Sequence, residues 1–98
     1  MNDKPIEEIP QLKVGTGEIE IEILSEYPQV AFANQKFIPY ILVKVSKTEL
    51  TKKLYVSART LSIPLYEIYK NKNSLKGIKL LVKKTDENQF AKYIINEI

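Results

Sequence analysis

The chain has 98 residues, a formal net charge of +3, and neither cysteine nor histidine. That length specifies one domain around one core, and no apolar run reaches the roughly 20 residues of a membrane span. The missing Cys and His exclude disulfides, thiolate zinc sites and cysteine nucleophiles. They also remove the commonest general base and metal ligand, so the inventory argues against an enzyme.

The opening MNDKPIEEIP places Pro5 and Pro10 among acids, so residues 1–11 are expected to form a flexible acidic tail ahead of one domain over residues 12–98. It lacks the apolar stretch of a secretory signal, and the expected setting is cytoplasmic, with no membrane partner. Residues 12–24, LKVGTGEIEIEIL, alternate after Gly17: Ile19, Ile21 and Ile23 on one face, Glu18, Glu20 and Glu22 on the other. Period two predicts a half-buried strand, with Gly15 and Gly17 as sites for a bend. Residues 25–36, SEYPQVAFANQK, carry Pro28, Asn34 and Gln35 and are expected to be a loop. The loop holds Tyr27, Val30 and Phe32, which either fold back onto the core or touch a partner.

A second strand is expected over residues 37–46, with Phe37, Ile41, Val43 and Val45 inward and Tyr40, Leu42 and Lys44 outward. Pro39 lacks an N–H, which puts that end at an edge or a bulge. After the turn KTELT, residues 52–57 make a third strand with Lys53 and Tyr55 outward. A register opposing Val45 and Lys52 sets Lys44 against Lys53 and Leu42 against Tyr55. Residues 57–73 hold the one helix, with Leu61, Leu65 and Ile68 at i, i+4 and i+7. Pro64 either kinks it or lies in its first turn, in which case the helix starts near Ser62. Two further strands follow, over residues 78–84 and 90–98.

The order strand, strand, strand, helix, strand, strand resembles that of OB-fold single-stranded nucleic-acid-binding proteins. The resemblance lies in element order and pattern and covers residues 12–98. It implies a mainly β fold (β-β-β-α-β-β): a small five-stranded OB-like barrel with its helix between strands 3 and 4, and Leu75 plugging one end. It also implies that a ligand crosses strands two and three, flanked by the loops joining strands 1–2 and 4–5. Mapped onto this chain, the strand face holds Tyr40, Lys44, Lys53 and Tyr55. The first loop adds Phe32 and Lys36, and the second adds Lys84 and Phe90. Aromatic rings stack on bases and lysines neutralise phosphates.

Charge distribution agrees with such a partner. Residues 1–35 hold two lysines and seven acids, a net −5, while residues 36–98 hold thirteen basic and five acidic residues, a net +8. The expectation is non-catalytic binding of single-stranded DNA or RNA with low sequence preference, without cofactor or metal. Each piece also has a plainer explanation. Tyr40 and Tyr55 are ordinary strand formers, Phe32 and Phe37 suit a core, and Lys83 and Lys84 suit a solvated face. The Glu18, Glu20 and Glu22 stripe repels phosphate if it borders the groove. A protein-interaction barrel, either a homo-oligomer or a subunit of a replication, repair or viral assembly, is the alternative. Outward Ile38, Leu42, Leu81 and Ile94 favour it. The Lys-, Ile- and Glu-rich composition fits a thermophile, although six Asn and four Gln pull the other way.

Overall fold

The computed structural model describes residues 9–33, 35–88 and 91–98. The elements run β1 (Ile19–Ile23), β2 (Gln29–Ala33), β3 (Lys36–Val45), β4 (Thr51–Tyr55), α1 (Arg59–Lys72), β5 (Lys79–Lys84) and β6 (Tyr93–Glu97). The protein is mainly β, an antiparallel six-stranded sheet with one helix.

β1 lies at the centre. Ile21 stands opposite Val45 of β3 and Leu80 of β5. Its alternation works as the sequence predicts: Ile21 and Ile23 are fully buried, and Glu20 and Glu22 take the other face. The core adds Ile41 and Val43 from β3, Leu54 from β4, Leu61 and Leu65 from α1, Leu80 and Val82 from β5, and Leu75. Burying each such side chain stabilises the fold by about 1.5–3 kcal/mol. Leu75 is fully buried, and its N–H donates to the Glu26 carbonyl at 2.7 Å. Gly77, with φ +85°, then turns the chain into β5.

The expected loop over residues 25–36 contains a sixth strand, β2. β1 and β2 lie end to end along one edge of β3. Ile23 opposes Val43 and Gln29 opposes Tyr40, so five residues on one side face only Ile41 and Leu42 on the other. The three extra residues form a bulge, and the Ser25 Oγ fills part of the broken ladder by accepting the Leu42 N–H at 2.9 Å. The odd offset also flips parity. Odd-numbered side chains of β1 share the core face of β3, whereas in β2 the even-numbered Val30 and Phe32 do. With β2 present, the helix falls between the fourth and fifth strands, not the third and fourth.

The sheet is not closed into a barrel. β4 pairs with β3 and β6 with β5, and among the described residues β4 and β6 do not pair. The free edge of β4 is instead bonded by residues 10–12. The Lys53 N–H donates to the Pro10 carbonyl at 2.8 Å, and the Leu12 N–H donates to the Lys53 carbonyl at 2.7 Å. This brings Ile9, Leu12 and Val14 into the buried set, so residues 9–11 of the expected tail pack on the domain. Residues 1–8 lie outside the described residues.

The β3–β4 register is offset by two residues from the expected one: Tyr40 opposes Tyr55, Leu42 opposes Lys53 and Lys44 opposes Thr51. An even offset keeps every side chain on its face but changes its neighbours. Pro39 is tolerated because its carbonyl points to the β4 side, where it accepts the Val56 N–H just past the end of β4. The missing donor points the same way, so the ladder with β2 loses nothing.

Helix α1 starts at Arg59, within the expected residues 57–73 and ahead of the Ser62 alternative. It enters from Ala58, whose carbonyl accepts the Leu61 and Ser62 N–H groups, and it runs through Pro64 in its second turn. Pro64 leaves the Thr60 carbonyl without an intrahelical donor. Asn73, in the left-handed conformation, ends the helix, and Lys70 and Lys72 in its last turn complement the helix dipole. Lys72 also reaches Glu97 of β6 at 2.6 Å.

Leu61→Ala should lower unfolding free energy by about 2–5 kcal/mol in urea denaturation, because a fully buried leucine leaves a cavity. Ala58 has the extended geometry of an N-cap but no side-chain acceptor. Ala58→Ser should therefore raise stability by about 0.5–2 kcal/mol; a drop in the same titration would show that the alanine methyl packs too tightly for an added hydroxyl.

Candidate nucleic-acid interface

The outer face of the sheet is built from the outward residues of β3, β4, β1 and β5. Tyr40 lies on it but is not an exposed platform, and here the sequence expectation is corrected. It is only 8% exposed. It forms a non-hydrogen-bonded pair with Tyr55, the geometry in which opposed side chains stand closest. On its other flank its hydroxyl donates to Gln29 Oε1 at 3.2 Å. It is thus flanked by Tyr55 on one side and Gln29 on the other.

Lys44 is engaged as well. Its ammonium lies 3.7 Å from Glu22 across the β1–β3 ladder. Glu22 also opposes Lys79 of β5. The acidic stripe therefore does share the face of Lys44, on the central strand and between two lysine-bearing strands. Among the described residues no three carboxylates converge as metal ligands would.

The remaining expected residues fall in three places. Lys53 and Tyr55 stay together, with the Lys53 Nζ 5.7 Å from the Tyr55 ring centre. Lys84 holds the same relation to Tyr93, at 5.3 Å. Phe32 and Lys36 are at the tip of the β2–β3 hairpin, about 10 Å along the strand from Tyr40. Phe32 meets Phe37 edge to face, ring centres 5.2 Å apart. Neither is core: they are 65% and 73% exposed, because the hairpin runs on past the body of the sheet. Phe90 lies outside the described residues.

Tyr55, Lys84 and Tyr93 meet at the unclosed seam between β4 and β6. Two shallow hollows, of about 420 and 430 Å³, share Gln11, Leu12 and Tyr93. The first is walled by Tyr55, Ser57, Arg59, Thr60 and Lys92, the second by Lys13, Gly15, Lys84 and Glu87. The seam is held in shape by the Tyr93 N–H, which donates to the Thr60 Oγ1 at 3.0 Å, and by the Lys84 N–H, which donates to the Gly15 carbonyl at 2.8 Å. Glu87, the one acid in the walls among the described residues, is occupied by the Thr16 N–H and hydroxyl at 3.2 and 3.0 Å. A larger hollow of about 700 Å³ lies elsewhere, with Glu18 and Glu20 among its walls, a poor setting for phosphates.

The seam therefore gathers Tyr55 and Tyr93 with Lys13, Lys84, Lys92 and Arg59. Sequence reasoning reached Tyr55, Lys53 and Lys84. It missed Lys13, Arg59, Lys92 and Tyr93, although the chain's only arginine and the adjacent basic and aromatic pair at 92–93 were visible signals. Comparison of the chain with protein families, with curated proteins and with solved structures finds no match.

Because Tyr40 is enclosed, Tyr40→Ala should act on stability first, costing about 3–5 kcal/mol in denaturant titration. Tyr40→Phe, which removes only the bond to Gln29, should cost about 0.5–1.5 kcal/mol.

Proposed function

We propose that the protein binds single-stranded DNA or RNA without catalysis and with little sequence preference, along the seam between β4 and β6. The observation that carries this reading is the pairing of each tyrosine of the seam with its own lysine, next to Arg59 and Lys92 and, among the described residues, with a single, already occupied acid. A tyrosine ring accepts any base, because every base has a π face. In the free protein the lysine ammonium occupies the ring face. As a base stacks, the ammonium slides off to the adjoining phosphate, so one pair serves both parts of a nucleotide.

The same reading takes the fold as a partly open OB-like barrel. With β2 regarded as an extension of the first loop, β1, β3, β4, α1, β5 and β6 follow the OB element order. The ligand then lies at the opening of the sheet as well as beside its β3–β4 face. Protein interaction remains a second reading for one specific reason, the exposed Phe32 and Phe37 on the hairpin.

The test is fluorescence anisotropy of a labelled single strand of about 20 nucleotides, at several salt concentrations, with duplex as competitor. Tyr55→Leu and Tyr93→Leu keep apolar packing but remove the ring, and each should weaken binding by about 5- to 150-fold. Replacing Lys53, Lys84, Lys92 and Arg59 singly by Gln should lower the slope of log K against log salt by about 0.7 for each phosphate that is no longer neutralised. Unchanged affinity in a folded Tyr55→Leu, Tyr93→Leu protein rules out stacking at the seam.

A further inference from the structure

We infer that β2 is the edge through which two copies of this chain associate, by antiparallel pairing of one β2 with the other about Ala31. The inference is independent of nucleic-acid binding at the seam.

The edges of the sheet are treated very differently. That of β4 is covered by residues 10–12. That of β6 is tied to α1 through Tyr93 to Thr60 and Glu97 to Lys72. Among the described residues β2 pairs only with β3, and its sequence, QVAFA, contains no charge and no proline. Soluble proteins blunt open edges with lysine, proline or a covering segment, and an uncharged apolar edge is a template for another strand.

The geometry says which strand. Pro39 directs its carbonyl toward β4, so its pairing with Val30 is a non-hydrogen-bonded one. The backbone N–H and C=O groups of Val30 and Phe32 therefore point away from β3, to the open edge. A two-fold axis at Ala31 sets Val30 of one copy against Phe32 of the other, and both pairs exchange backbone bonds. The same operation gathers Val30, Phe32 and Phe37 of both copies on one face, with the small Ala31 at the axis. The segment is thus complementary to itself, as a closed dimer contact must be.

The exposed surface sets the strength. Val30, Phe32 and Phe37 are 62%, 65% and 73% exposed, which corresponds to roughly 300–400 Å² of apolar surface per copy. Doubled, this is about 600–800 Å², below the roughly 1,200 Å² at which standard specific interfaces begin, so the dimer is expected to be weak, dissociating on the order of 100 μM or above.

Sedimentation velocity over roughly 1 μM to 1 mM protein, without nucleic acid, tests the inference. A monomer–dimer equilibrium that persists in high salt is expected, since apolar contact and backbone bonds are little screened. Phe32→Lys should weaken it by about tenfold or more. Val30→Pro, which removes an outward N–H and leaves the β3 ladder intact, should do the same. Leu50→Lys, at an exposed leucine away from the hairpin, should change nothing. A monomer at every concentration, growth beyond a dimer, or association abolished by salt overturns the inference. So does a Phe32→Lys chain that still dimerises normally while circular dichroism shows it folded. Loss of oligonucleotide binding by Phe32→Lys at concentrations where the parent is monomeric would reassign the phenylalanines to the nucleic acid and likewise overturn it.

Discussion

Backbone bonding along both edges of β1 is the constraint on which the rest of the structure depends. The strand has β3 on one side and β5 on the other, and its isoleucines are buried against both. Among the strands, it is the one that pairs with both halves of the sheet. β4 hangs from β3 and β6 from β5, so the far edges face each other across a gap. Residues 10–12 satisfy the β4 edge in a way that leaves the gap open. The tyrosines and cations at the seam are thus a consequence of how the sheet fails to close.

Electrostatics follow from the same arrangement. A central strand with outward glutamates suits neighbours bearing lysines, and Glu22 stands between Lys44 and Lys79. At partly exposed positions such pairs contribute little to stability. Their effect is to consume cations on the outer face. Lys13, Arg59, Lys84 and Lys92 instead line the seam, where residues 11–15, the first turn of α1 and the start of β6 converge.

The hairpin beyond the bulge answers to different forces. Three extra residues between β1 and β2 let β2 pair with β3 past the point where the core ends. Its even-numbered side chains continue the core face into solvent. The apolar surface there cannot be assigned to folding, since Phe32 and Phe37 touch one another and little else buries them.

The sequence by itself determined five of the six strands, the helix, and the inward faces of β1, β3 and β4, because alternation and helical spacing are local periodicities written in side-chain polarity. From these came Ile21, Ile23, Ile41, Val43 and Leu65 as core, and Tyr55, Lys53 and Lys84 as candidate site residues. Tertiary structure alone decided the rest. Alternation specifies a side but not a neighbour, so it could not show Tyr40 enclosed between Tyr55 and Gln29, or Lys44 paired with Glu22. A proline-containing segment with aromatics reads as a loop until a bulge supplies it with a partner strand, which is why β2 went unseen. The juxtaposition of Tyr55 with Tyr93 and Arg59 joins residues far apart in the chain. It depends on where two sheet edges stop, a property of packing and register that no local pattern encodes.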